Sequence, residues 1–187
     1  MLRLALIPFA VVVAALVALA LLPSRTTVVP GGAVELEDVE VTLYPRTDPD
    51  AVWYFAAPRV EYEPNVQEAT LFAIEDGRRT VDGETDFTLS SDQVTIDRSD
   101  NLRGEAMHAF LVDDELDLRM EAKGSRQVLI DQRAGRFEVP RATMSGPDLG
   151  ESVFEDMRIS FDFTDFEAGG PGTVWYAQFV VDSPGEN

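Results

Sequence analysis

Gln127-Val128-Leu129-Ile130-Asp131 is the last of three similar segments, and the regular spacing of these segments indicates the fold of the chain. Gln93-Val94-Thr95-Ile96-Asp97 precedes it by 34 residues, and Val60-Glu61-Tyr62-Glu63 lies a further 34 residues upstream. Each copy has an apolar residue, a variable residue, an apolar residue and an acid. A unit repeated at this interval indicates stacked supersecondary pieces that share one continuous core.

Alternation of apolar and polar residues continues outside the three segments. Leu116, Leu118 and Met120 alternate with charged residues, and this period of two directs apolar side chains to one face of a strand. Turn signals such as Val81-Asp82-Gly83 separate the alternating runs about every 8–14 residues. The pattern predicts an all-β antiparallel domain and argues against an array of helical hairpins, whose period is 3.6.

Three local features give sharper predictions. Glu75-Asp76-Gly77 has the composition of a turn between two strands. Pro140 follows Phe137 and Val139 and predicts the end of their strand, since proline cannot donate to a sheet ladder. The segment from Leu102 to Val112 suits a strand or a short helix, and we expect a strand.

The N-terminus carries a separate signal. Arg3 is followed by an uncharged, mostly apolar run from Leu4 to Leu22, which as a helix rises roughly 28 Å. Its length favours a transmembrane anchor over a cleaved signal peptide, although Ala18-Leu19-Ala20 offers a cleavage pattern. We therefore expect an anchor or signal segment at 1–23, a linker at 24–33, an extracytoplasmic β domain at 34–182 and a polar tail at 183–187.

The composition restricts the partners. The chain has 15 Lys+Arg against 34 Asp+Glu, a net charge of −19, so nucleic acid is an unsuitable partner. The absence of cysteine excludes disulfides, thiolate catalysis and cysteine-based zinc sites.

The sequence holds no recognisable catalytic, metal or cofactor site. His108 is the only histidine, and no nucleophile elbow, phosphate loop or dinucleotide fingerprint is present. Asp113-Asp114-Glu115 and the pair Asp97 and Asp100 are the nearest calcium candidates, but neither has EF-hand spacing. We expect no enzyme activity and no cofactor, with His108 as a partly exposed strand residue.

The apolar face of the strands is the remaining candidate site. If the sheets meet fully, its residues form an ordinary core. If the sheets splay, the same residues line a trough for acyl chains, and periodicity does not separate the two cases. The candidates for lining such a trough are Val94, Ile96, Leu116, Leu118, Met120, Val128, Ile130, Phe137, Ile159 and Phe161.

The repeated segments also carry a family resemblance. They read Ala57-Pro58-Arg59-Val60-Glu61-Tyr62, then Asp92-Gln93-Val94-Thr95-Ile96-Asp97 with Leu102-Arg103-Gly104, then Gly124-Ser125-Arg126-Gln127-Val128-Leu129-Ile130-Asp131. With the apolar N-terminus and the cysteine-free domain, they resemble the lipopolysaccharide-export proteins of the LptC/LptA/OstA-like group, most closely the membrane-anchored LptC type. The resemblance covers about residues 34–165.

The resemblance implies a folded-over antiparallel sheet, described as a β-jellyroll or β-taco, behind one transmembrane helix. It implies a single-pass protein of the inner membrane with its domain in the periplasm. Such proteins accept a lipid, lipopolysaccharide or another envelope glycolipid, from an inner-membrane transporter complex. They pass the lipid to a like β domain joined edge to edge. The strong acidity and the extra strand around Trp175-Tyr176 depart from the family and leave the lipid open.

Two other functions remain as alternatives. One is a structural or adhesion-type β-sandwich with a closed core and no lipid handling. The other is a secreted carbohydrate-binding module in which Trp53 and Trp175 form an exposed aromatic platform.

Overall fold

The computed structural model describes residues 32–113, 115–147, 150–169 and 175–178, with only the backbone of the last segment. The predicted anchor, most of the linker and the polar tail lie outside these residues, as do Asp114 and the side chain of Trp175. The strands belong to a unit that begins at Gly32. No helix in the described part of the chain is long and apolar enough to cross a membrane.

The described residues form an all-β structure, as predicted. Its strands are β1 Val34–Leu43, β2 Ala51–Glu63, β3 Glu68–Val81, β4 Glu84–Ile96, β5 Leu102–Gly104, β6 Ala106–Leu111, β7 Leu116–Glu121, β8 Val128–Asp131, β9 Arg136–Gly146, β10 Gly150–Ser160, β11 Asp165–Ala168 and β12 Trp175–Gln178. The expected strand between Leu102 and Val112 is present as β5 and β6, which are separated only by Glu105.

The sheet follows the chain order if β5 with β6, and β7 with β8, are each counted as one interrupted strand, and all pairings between the described strands are antiparallel. β5 and β6 lie end to end along β4, while β7 and β8 lie end to end along β9. A jelly roll requires Greek-key connections that cross over neighbouring strands, and this meander contains none among the described strands. The jellyroll prediction is therefore wrong, and the sheet instead rolls up in the manner of a barrel.

The sequence repeat corresponds to one hairpin of the meander. Val60, Val94 and Val128 lie on β2, β4 and β8, point inward and are 3%, 0% and 0% exposed. The acid that ends the second and third copies caps the turn that follows it. Asp97 Oδ1 accepts hydrogen bonds of 2.7 and 3.1 Å from two backbone N–H groups, and Asp131 Oδ1 accepts two of 2.9 Å.

A cluster of inward-facing aromatic rings joins strands that are far apart in the chain. The ring centroids of Trp53 and Phe87 lie 5.2 Å apart, as do those of Phe87 and Phe137. Phe161, just after β10, lies 5.2 Å from Phe137. Because β2 and β4 thereby contact β9 and the end of β10, the sheet is closed around one core.

An irregular line crosses the sheet, which we call the crease: Asp38, Pro58, Ala73, Pro140 and Asp156. Asp38, Ala73 and Asp156 have left-handed backbones with φ of 51°, 53° and 51°. Pro58 and Pro140 lie opposite Asp38 and Asp156, at positions where the regular register is interrupted. Proline lacks the N–H for the ladder, and an irregular residue opposite it bends the strands.

Two predicted strand ends, at Glu75-Asp76-Gly77 and at Pro140, are wrong for the same physical reason. Glu75-Asp76-Gly77 lies inside β3, where the register with β4 shifts between Ile74 and Gly77. Pro140 lies inside β9 rather than at its end. Residues that suit a turn also suit a bulge, so the local sequence did not distinguish a bend within a strand from a reversal of the chain.

The β3 bulge gives the first prediction. A Cβ added at Gly77 would lie 2.6 Å from the carbonyl oxygen of Leu89 and 3.1 Å from the Phe55 ring, so backbone must move. We expect Gly77→Ala to lower the free energy of unfolding by about 1–3 kcal/mol, measured by urea denaturation. Gly32→Ala is the matched control, because nothing lies within 4 Å of its added Cβ. Equal stability of the two variants would contradict this role of Gly77.

Candidate functional site

The ten residues predicted to line a lipid trough lie within or against the core. Nine are buried, and Leu116 is half-buried. The exposed fraction is 0% for six of them, so not even a water-sized sphere can contact their side chains. Those six are Val94, Leu118, Val128, Ile130, Phe137 and Ile159. The expected trough is not open in this structure, because the side chains that would line it fill the interior.

The inner face nevertheless becomes accessible at one edge of the sheet. Val34 pairs with Tyr62 and Leu36 pairs with Val60, so these side chains share the face on which Val60 is buried. Val34, Leu36 and Tyr62 are 40%, 45% and 38% exposed. We call these three residues the lip.

The lip continues the packed core without a break. Leu36 on β1 pairs with Val60, which pairs with Leu71, which in turn pairs with Val94. Leu36 is exposed, and the other three residues are buried. Farther along β1, Val39 and other apolar side chains pack against the core. The second half of β1 therefore covers the interior, while its first half extends past the packed region.

The lip lies on an edge strand. Among the described strands, β1 pairs with β2 alone. Its other side therefore carries backbone groups that a further strand can pair with. An edge of this kind, with an apolar face exposed beside it, is the type of surface at which other proteins bind an added strand.

Acidic residues surround the lip on the outer face of the same strands. Glu35 and Glu37 alternate with the apolar residues of β1, and Glu61 and Glu63 flank Tyr62. Arg59 Nη1 contacts Glu61 Oε1 at 3.1 Å and Glu35 Oε1 at 3.7 Å. The lip therefore combines an apolar inner surface with a predominantly anionic outer one.

Clefts on the outer surface follow the crease. Volumes of about 390, 410 and 280 Å³ lie beside Pro58, Ala73 and Pro140 respectively. His108 lines the second of these, and its Nε2 lies 2.6 Å from Asp117 Oδ2. With 43% of its side chain exposed on β6, His108 is the partly exposed strand residue that the sequence predicted.

The calcium candidates are engaged in other contacts. Besides capping its turn, Asp97 accepts a hydrogen bond of 2.8 Å from Arg103 Nη2, and Asp100 pairs with Arg46 at 3.1 Å. Asp114 lies outside the described residues. Within the described part, no group of three or more acidic or histidine side chains is placed to hold a metal ion.

Trp53 cannot serve as an exposed carbohydrate platform. Its side chain is fully buried, and its Nε1 donates a hydrogen bond of 3.3 Å to Gln132 Oε1. The sequence did not distinguish this interior tryptophan from a surface one, because the dense apolar run of Val52 to Ala57 lacks clear alternation.

A charged cluster that the sequence did not predict lies at one end of the core, with a buried arginine between two partly exposed aspartates. Arg79 is 4% exposed, is paired with Asp48 and Asp86, and lies 4.6 Å from the centre of the Phe161 ring. Its register position opposite Trp53 places it on the inner face. The sequence signal was an arginine at an inward position of the β3 strand, which the predicted turn at Glu75-Asp76-Gly77 obscured.

The cluster gives the second prediction. Burial raises the pKa of the Asp86 carboxyl above its ordinary value, and this effect outweighs the opposing attraction of Arg79. A pKa that is higher in the folded state contributes stability at low pH, and this contribution is lost as the pH rises from about 4 through the raised pKa.

Asp86→Asn removes this titration. We expect the unfolding free energy of the wild type to decline relative to that of Asp86→Asn as the pH rises across that window, and then to level off. Urea denaturation of both proteins at a series of pH values measures the difference. A difference that instead changes in favour of the wild type would show that the Arg79 attraction dominates.

Comparison with known proteins found no family model that matches the chain and no curated protein similar to it. The site therefore has to be interpreted from its own residues: an apolar lip on an edge strand, continuous with a sealed core and surrounded by carboxylates.

Proposed function

We propose that the protein handles lipid at the cell envelope in the manner of an LptC-like domain, taking up an acyl chain at the lip. The observation that supports this proposal is the exposed apolar continuation of the inner face at Val34, Leu36 and Tyr62. Because the interior beyond the lip is filled, the acyl chain lies along the lip and the β1 edge rather than through the core.

The position of the lip in the chain supports a lipid as its occupant. The apolar run from Leu4 to Leu22, proposed as a single-pass anchor in the inner membrane, is joined to β1 by the linker 24–33. Ten extended residues span at most about 33–36 Å, so an anchored chain keeps the lip near a membrane surface. The nearest abundant apolar partner is then a lipid.

The free edge of β1 supports transfer to a second β domain. A strand added to β1 extends the sheet, and its alternate side chains continue the inner face beyond Val34 and Leu36. Burying eight methylene groups stabilises a complex by about 6 kcal/mol. Transfer between two such faces changes this term little, so passage to a like domain or arrival from a transporter complex carries little net free-energy cost from hydrophobic burial.

The proposal assigns no catalytic residue, cofactor or metal to the chain. A closed structural β domain is the second candidate, and the complete burial of Val94 and Val128 favours it. That candidate predicts no lipid contact at the lip. The carbohydrate-binding alternative loses its support with the burial of Trp53.

Photo-crosslinking separates the two candidates. We expect the full chain carrying Tyr62→benzoylphenylalanine, irradiated in its native membranes, to crosslink to lipid, as detected by mass spectrometry. Adding Leu36→Asp should reduce this crosslinking at least about fivefold, because a charge on the lip opposes acyl-chain burial. The variant should remain folded, since the Leu36 side chain is already 45% exposed.

Val153 provides matched controls. It is 55% exposed, is also an apolar strand residue and lies on β10, away from β1 in the sheet order. Val153→benzoylphenylalanine should give little lipid adduct, and Val153→Asp should leave the crosslinking at position 62 unchanged. Absence of lipid adducts at position 62 in the folded protein would refute lipid handling and leave the closed structural domain.

A further inference from the structure

We infer that the lipid taken up at the lip carries no net negative charge on its headgroup, a class that includes uncharged glycolipids. This inference rests on the proposed function and adds the chemical class of the ligand. It follows from the negative charge on the outer face of the strands that carry Val34, Leu36 and Tyr62, and from the net charge of the whole chain.

The carboxylates beside the lip outnumber the cations. The strand segments that form and adjoin it, β1 and residues 59–72, contain Arg59 as their one cationic residue. The acidic residues of the same segments are Glu35, Glu37, Asp38, Glu40, Glu61, Glu63 and Glu68. Arg59 is already paired with Glu35 and Glu61, and its guanidinium lies 3.8 Å from the centre of the Phe72 ring. It is therefore poorly placed to neutralise a phosphate.

The repulsion acts around the edge of the sheet. Glu35 lies between Val34 and Leu36, and Glu61 and Glu63 lie on either side of Tyr62, with their side chains on the opposite face of the same two strands. The Debye length is about 8 Å at physiological ionic strength and about 30 Å at 0.01 M, so this repulsion is strongest at low salt. The net charge of −19 adds to the same repulsion.

The test is a competition between two lipids with identical acyl chains. The full chain with Tyr62→benzoylphenylalanine is placed in nanodiscs containing equal amounts of monoglucosyl diacylglycerol and phosphatidylglycerol. We expect adducts of the neutral lipid to exceed those of the anionic lipid by about tenfold at low salt. At 0.5 M NaCl the ratio should fall below about threefold, because salt screens the repulsion.

A charge variant tests the cause. Glu37→Gln combined with Glu63→Gln removes two carboxylates that form no ion pair among the described residues, so the fold should be retained. We expect the preference for the neutral lipid to fall at least about twofold at low salt. The matched control combines Glu151→Gln on β10 with Asp165→Asn on β11, which removes the same number of charges and should not alter the preference.

The outcomes separate the two levels of the proposal. Equal or greater crosslinking to phosphatidylglycerol at low salt would overturn the assignment of an uncharged headgroup while leaving lipid handling in place. A folded protein that crosslinks to neither lipid would overturn both.

Discussion

The structure depends on burying one continuous apolar face against itself. Each strand of the meander contributes alternate side chains to that face, and the sheet has to roll up to remove them from water. The aromatic contacts from Trp53 through Phe87 to Phe137 join the first half of the chain to the second. Once they form, most of the described inward residues are enclosed, while the lip, at the beginning of β1 and the end of β2, extends beyond the closed region.

The crease makes this closure compatible with long strands. β2, β3 and β4 have 13, 14 and 13 residues, which is long for strands that must curve round a small core. Proline at Pro58 and Pro140, opposite aspartates with left-handed backbones, interrupts the ladder where the strands bend. The same residues lie beside the outer clefts, so these clefts follow from the bending of the sheet rather than from a specialised binding loop.

Much of the fold was predictable because alternation and turn composition act locally. The inward valines of the repeat follow directly from the alternation of apolar and variable residues, whereas the capping role of Asp97 and Asp131 was not predicted. The bends at Gly77 and Pro140 were not predictable, because bulges and turns favour the same residues and only the neighbouring strand decides between them. The inward position of Arg79 was not predicted either, because a turn at Glu75-Asp76-Gly77 would have ended the strand before that residue.

The apolar character of the candidate site was predictable from the sequence, but its position and its exposure were not. The sequence identified an apolar face, but the same alternation describes Val94, which is sealed, and Leu36, which is 45% exposed. Val94 and Leu36 differ in burial because β1 extends past the packed region at Leu36 while neighbouring strands cover Val94. The extent of each strand beyond its neighbours depends on the register of the sheet. The result is a core without an open trough and a lip at one edge, so the accessible part of the apolar face is smaller than the sequence suggested and lies beside the edge of β1 that no described strand pairs with.

Because the natural chain contains no cysteine, thiol labelling of single-cysteine variants measures this difference most directly. Leu36→Cys, Val94→Cys and Val128→Cys place one thiol on the lip and two in the core. Under native conditions the thiol at position 36 should react at a rate near that of an exposed thiol, while those at 94 and 128 should react only as fast as the protein unfolds. Rapid labelling at 94 or 128 in the folded protein would show an open interior, and protection at 36 would show that the lip is covered; either result would contradict the sealed core with an exposed lip.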